Sequence, residues 1–376
     1  MPSRGPDAEL RVALLNPCYW PEVRRGAERI VRDLADGLIA RGQRPSLITS
    51  HPGMPRRAVE DGLLVLRVPR PPQAPLLRLG YEAYLTHVPF SYLALRACAY
   101  DIAHATYPTD ALAAVRWSRK TGRPALLTYM GIPSRPWLGA ARGRREITRR
   151  AVAGCDAIVV LSHHAAAALR ESTGREAEVI YPGVDLSAFA PRPARHRRPT
   201  IVCTAAPDIA RKNVGLLIDA FALVRRRFRD ARLVLVRPHS AATARKAGVR
   251  LDAPGIAWLE QDHRPGALSV TYGEAWAAVL PATDEAFGVA LIEALACGTP
   301  VVGYAHGGMP EIVDGAEIGA LFDRLDPSEL ANALVSVLEL AEDPQTTERC
   351  RARAEEFSTD RSTDRYLALY RELARG

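Results

Sequence analysis

Short apolar runs alternate with stretches of helical apolar spacing along nearly the whole chain, and the alternation breaks once and then restarts. Residues 11–16 read as a strand, and 27–41 as a helix whose Ile30, Leu34 and Leu38 stripe stops at Gly42. Further strands are predicted at 46–50, 102–106, 125–130, 157–162 and 178–181. Strands that alternate with helices build a parallel sheet, because each parallel return needs a crossover long enough to hold a helix. After Pro182-Gly-Val-Asp185, the proline- and arginine-rich stretch 191–199 cannot form regular structure. The pattern then resumes with strands at 200–205, 232–236, 256–260, 277–280 and 300–304, helices at 214–227 and 288–297, and terminal helices from Pro327. The expected architecture is α/β. It has a Rossmann-like domain over 1–186, a linker over 187–199, a second Rossmann-like domain over 200–356, and a C-terminal helix over 357–376 that can return to the first domain. A length of 376 residues agrees with two domains at ~100–200 residues each.

Several function classes lose support early. No run approaches the ~20 apolar residues of a membrane-spanning helix. The polar N-terminus lacks a signal-peptide core, which leads us to expect a cytoplasmic protein. The six cysteines contain no C-x-x-C pair, so neither a zinc site nor a disulfide framework is indicated. Net charge is +8, with the basic excess before residue 250 and an acidic remainder after it, unlike a uniformly basic nucleic-acid binder. Neither domain's first strand is followed by G-x-G-x-x-G, and no P-loop occurs, which argues against a dinucleotide oxidoreductase and a P-loop kinase. Only Lys120, Lys212 and Lys246 are lysines, so a lysine in a motif is informative.

Ligands of open parallel sheets bind beyond the carboxyl ends of the strands. There, Leu280-Pro-Ala-Thr-Asp-Glu-Ala-Phe-Gly-Val-Ala290 reads as a strand end, an acidic loop and a helix opened by Gly288, Val289 and Ala290. The first N–H groups of that helix are free to receive an anion such as a diphosphate. Glu285 sits in the loop beside that point. Glu293, about 7–8 Å along the helix at ~1.5 Å per residue, is placed to accept ribose hydroxyls. Lys212 near a helix N-terminus is locally unfavourable unless an anion lies beside it. The bland readings are an exposed helical glutamate and an ordinary surface lysine.

Glu285 and Glu293, with Phe287-Gly288 between them, resemble the E-x7-E element of the retaining GT-B glycosyltransferases of family 4. Gly26-Ala-Glu28 resembles that family's Gly-Gly-x-Glu loop, Pro182-Gly-Val-Asp185 its hinge segment, Arg211-Lys212-Asn213 its Arg-Lys-Gly/Asn element, and His306-Gly-Gly-Met-Pro-Glu311 its Gly-Gly-x-x-Glu turn. The resemblance spans about residues 10–340. It implies a GT-B fold, two Rossmann-like domains whose parallel sheets face across a cleft. It also implies metal-independent transfer from a nucleotide-sugar donor to an unidentified acceptor, a glycan, glycolipid or natural product, with retention of configuration. The nucleotide sugar is then a substrate, and no cofactor is expected. By the same resemblance Glu285 is catalytic and contacts the donor sugar, Lys212 the diphosphate and Glu293 the ribose. Gly26, Arg211, Phe287, Gly288 and Val289 complete the donor site, and Arg25 and Met130 fall on the acceptor side.

Three positions depart from the family pattern. Ala206 stands where an arginine usually neutralises the diphosphate, Arg25 replaces a glycine, and Met130-Gly131 replaces His-Gly. Arg25 or Arg211 is expected to supply the missing charge. A non-catalytic partner subunit, or a retaining phosphorylase or sugar-phosphate synthase on the same fold, are the alternatives. His104 and His306 are read as structural, and His163 and His164 as helix-capping or solvent-facing. Gly307-Gly308 is either a plain turn or a close approach to ligand. The arginines between 135 and 150 form a solvated face or a peripheral contact with anionic lipid, and the apolar 71–100 stretch is mostly core.

Overall fold

The computed structural model describes residues 9–23, 26–260, 262 and 264–375. They form two compact units, one ending at Gly183 and regaining the chain from Thr359, the other spanning Val184–Ser358.

The first unit holds strands β1 (Arg11–Leu15), β2 (Arg44–His51), β3 (Arg56–Glu60), β4 (Leu63–Pro69), β5 (Ile102–Ala105), β6 (Ala125–Tyr129), β7 (Ala157–Val160) and β8 (Glu178–Val179). Their order in the sheet is β3-β4-β2-β1-β5-β6-β7-β8, parallel except for the β3–β4 pair. Along β1, Ala13 and Leu15 face one apolar cluster while Val12 and Leu14 face the other. The period of two buries both faces under helices, which is why the strand reads as a continuous apolar run. Sequence reasoning missed β3 and β4. The mostly exposed edge strand β3 buries no apolar side chain, yet the Asp61-Gly62 turn, with φ of 47° and 81°, is a hairpin signal.

The last helix, Thr359–Leu373, belongs to this first unit. Arg41 ties it down through Asp360 and Asp364 at 3.0 and 2.6 Å. Its buried Tyr370 hydroxyl lies 2.6 Å from His104 Nδ1, and His104 Nε2 lies 2.7 Å from the Thr128 hydroxyl, itself 3.0 Å from the Tyr366 hydroxyl. His104 is thus a satisfied core histidine, as expected.

The second unit contains β9 (Thr200–Cys203), β10 (Arg232–Val236), β11 (Ile256–Leu259), β12 (Ala277–Leu280), β13 (Val301–Tyr304) and β14 (Gly319–Phe322), all parallel, in the order β11-β10-β9-β12-β13-β14. The 187–199 stretch is packed on this unit and is not a free linker. Arg195 donates to the carbonyls of Gly298 at 3.1 Å and of Ala341, and His196 N–H donates to the Glu274 carbonyl at 2.8 Å. Strand order reverses between β9 and β12, the place in an open parallel sheet where ligands bind beyond the carboxyl ends of the strands. None of the helices among the described residues is long and apolar enough to cross a membrane.

Complete burial pushes the pKa of His104 down to about 3. Native His104 therefore stays neutral while an unfolded histidine takes up a proton below about pH 6.5, so its contribution to stability falls as pH drops from about 6.5 towards 3. Denaturant unfolding of wild type and His104→Gln between pH 4 and 7 should differ in slope by about 1 kcal/mol per pH unit.

Candidate active site at the β9–β12 switch point

The loops after β9 and β12 are stitched together by backbone groups. The Thr283 N–H donates to the Arg211 carbonyl at 2.8 Å, and the Asn213 side-chain amide donates to the Pro281 carbonyl at 2.9 Å. Asn213 can do this because it turns the chain through the left-handed region (φ 51°) between a 3-10 turn, Ala210–Lys212, and the Val214–Arg227 helix.

The stitching brings three of the predicted residues into contact. Lys212 Nζ lies 2.6 Å from Glu285 Oε2, and Arg211 Nη1 lies 3.3 Å from the same oxygen. Lys212 and Glu285 are 15% and 21% exposed, sheltered enough to lose part of their screening yet reachable by a ligand. The anion expected beside Lys212 is, in the free protein, the Glu285 carboxylate.

Three residues after Glu285, Gly288 takes φ of 115° and caps the helix Val289–Ala296 without a side chain. The helix thus begins one residue later than predicted, and its first N–H groups have no side-chain cap. Glu293 lies on this helix and is buried, as is the Phe287 ring, which packs edge-on against Phe357 at 5.4 Å. Phe287, predicted at the donor site, therefore contributes a core side chain, and only its backbone borders the loop. Val289 is half-buried in the first helical turn.

Sequence reasoning left the Gly307-Gly308 turn open, and the structure gives it a supporting task. A Cβ on Gly307 would stand 2.2 Å from the Glu285 carbonyl oxygen, and one on Gly308 would stand 2.6 Å from Phe287 Cα. The Gly308 N–H donates to the Glu285 carbonyl at 3.0 Å. The close approach these glycines permit is to the backbone that carries Glu285.

The remaining predicted residues belong to the first unit. Gly26 opens the helix Gly26–Ala40, with open space where a Cβ would project. Glu28 is buried, with the Cys18 thiol 3.4 Å from its Oε1. Met130 follows β6 and packs against the core cluster that includes Tyr366 and Tyr370, so its side chain is a packing element. Arg25 lies outside the described residues.

With this geometry in view, the family described as "Glycosyltransferase Family 4" matches residues 24–188 and that described as "Glycosyl transferases group 1" matches 189–357. A D-inositol 3-phosphate glycosyltransferase of Mycolicibacterium vanbaalenii is 30% identical over 247 residues, 59% of this chain. The chain spans about half, 54%, of that relative's length. Sucrose-phosphate synthase from Thermosynechococcus elongatus superposes with a TM-score of 0.83 at 22% identity, covering 97% of this chain and 99% of the other. Anabaena HepE in complex with UDP-glucose gives 0.74 at 17% identity, covering 96% and 99%. The chain belongs to the GT-B glycosyltransferases of family 4.

Gly307→Ala adds both a contact at 2.2 Å and a disfavoured positive φ, 71°, so the loop bearing Glu285 must move. The expected result is a stability loss of about 1–3 kcal/mol in denaturant unfolding. The activity loss should exceed what the unfolded fraction accounts for.

Proposed function

We propose that this chain transfers a glycosyl group from a nucleotide-sugar donor to a hydroxyl of a phosphorylated sugar or cyclitol, with retention of anomeric configuration. The observation that carries the reading is the convergence of Lys212, Arg211 and Glu285 on one point at the β9–β12 switch, beside an uncapped helix N-terminus. A diphosphate bound there replaces the Glu285 carboxylate as the partner of Lys212 and meets the helix N–H groups. Glu285, released from Lys212, then accepts hydroxyls of the donor sugar. Glu293, one turn further along the same helix, takes the ribose. Arg211 compensates for Ala206, since its guanidinium already reaches the same carboxylate oxygen as Lys212.

In the transfer step the bond from the anomeric carbon to the diphosphate oxygen breaks as the acceptor oxygen bonds to that carbon from the same face. The acceptor proton passes to the departing diphosphate oxygen. Lys212, Arg211 and the helix N-terminus stabilise the growing negative charge, and preorganised groups of this kind act without reorganisation cost. No metal ion is called for in this scheme. The acceptor class is supported by the names of the relatives, a D-inositol 3-phosphate glycosyltransferase and a sucrose-phosphate synthase.

A thermal-shift panel of UDP, GDP, TDP and ADP sugars identifies the donor, since a ligand at 100 times its Kd stabilises by about 2.7 kcal/mol. Lys212→Ala should weaken nucleoside diphosphate binding about ten- to a hundredfold, the equivalent of one charged hydrogen bond worth about 1.5–3 kcal/mol. Glu285→Ala should abolish transfer while nucleoside diphosphate still binds. A fully active Glu285→Ala enzyme would sink the assignment. Nucleotide binding without turnover on any phosphorylated acceptor would favour a non-catalytic subunit.

A further inference from the structure

The strands of the second sheet run parallel, so the amino ends of β9, β10 and β11 lie at the opposite edge from Lys212 and Glu285. An open depression of about 430 Å³ occupies that edge, lined by Arg198, Arg225, Arg229, Asp230, Arg232 and Gly255 among others. Arg198 and Arg232 stand at the starts of β9 and β10, where the Arg232 N–H donates to the Pro199 carbonyl at 2.9 Å. Arg225 and Arg229 arrive from the end of the Val214–Arg227 helix and the turn after it. Four arginines and one aspartate thus line one depression.

An arginine-rich chain places many arginines on its surface, but elsewhere it commonly pairs them. Arg227, two residues from Arg225, meets Glu339, and Arg250 meets Asp219 at 2.6 Å. Among the described residues, none of the four arginines of the depression is paired with a carboxylate. The Nε of Arg225 is buried without a hydrogen-bond partner. It lies against Gly255, whose added Cβ would be 3.3 Å from both Nε and Cδ. A buried donor left unmade is costly unless something supplies the acceptor. Cations in the last turn of a helix are favoured by its dipole, which accounts for Arg225 to Arg227. It does not account for Arg198 and Arg232 converging from two strand starts.

We propose that this depression is a binding site, separate from the donor site, for a small ligand carrying two or more phosphoryl groups. Guanidinium forks match phosphate oxygens two at a time, and an excess of three positive charges suits a polyphosphate or a sugar bisphosphate. A volume of about 430 Å³ falls in the range of small-molecule sites, roughly 300–1,000 Å³.

The test is calorimetric titration of tripolyphosphate into the full chain, with the nucleoside diphosphate chosen by the thermal-shift panel present at saturation so that the Lys212 site is occupied. Wild type should bind tripolyphosphate, and the double variant Arg198→Ser/Arg232→Ser should bind at least tenfold more weakly. Both residues are exposed, so melting temperature and circular dichroism should match wild type. Arg229→Ser alone, should the double variant misfold, is expected to weaken binding measurably. Lys212→Ala should leave this binding unchanged, so that failure of the donor-site reading and failure of this one are told apart. Equal affinity in wild type and the arginine variants overturns the proposal. So does loss of all tripolyphosphate binding in Lys212→Ala. Tighter binding of a single-stranded RNA oligonucleotide through the same arginines would overturn the small-ligand assignment.

Discussion

The ion pair between Lys212 and Glu285 exists because two loops, whose paired residues stand 73 apart in sequence, leave adjacent parallel strands where the strand order reverses. Parallel pairing of β9 with β12 sets the two strand ends side by side, and the Thr283–Arg211 and Asn213–Pro281 hydrogen bonds join the loops above them. The chemistry of the second unit depends on this tie. A buried sheet cannot slip register without exposing an entire apolar face, so the strands give the loops a fixed base. The Gly307-Gly308 turn holds the Glu285 segment from the other side. Glu285 is therefore clamped by backbone on two sides, and its side chain is held by Lys212 and Arg211.

That arrangement explains how one carboxylate can serve two states. In the free protein Glu285 neutralises Lys212 and Arg211, which would otherwise repel each other in a partly sheltered place. On the proposed reading, a bound diphosphate brings its own negative charge to the same cations and frees the carboxylate for sugar hydroxyls. Arg211 provides a second cation at the same oxygen, which is the basis for proposing it as the substitute for an arginine at Ala206.

Much of the architecture was legible in the chain. The strands buried on both faces, such as β1 and β10, announce themselves as apolar runs, and the Val214–Arg227 helix and the Arg232–Val236 and Ala277–Leu280 strands fall at their predicted bounds. The exposed edge strand β3 escaped because edge strands carry no core-facing signal, and only the Asp61-Gly62 turn betrayed it. Glu285, Lys212 and Arg211 were named from spacing and resemblance, and their contact is what the fold adds. Phe287 and Met130 were named for a site, but their side chains belong to cores. A motif position shows that a residue matters without showing which of its atoms matters.

Local patterning by itself determined the α/β class and the position of the acidic loop, because these follow from periodicity and from the conformational limits of proline and glycine. Tertiary structure decided which loops meet, that Glu285 occupies the place of an anion at Lys212, that Gly307 and Gly308 make room for a backbone, and that four arginines from two strand starts and a helix end share one depression. Those outcomes depend on strand order and on contacts distant in sequence, which a one-dimensional pattern does not encode.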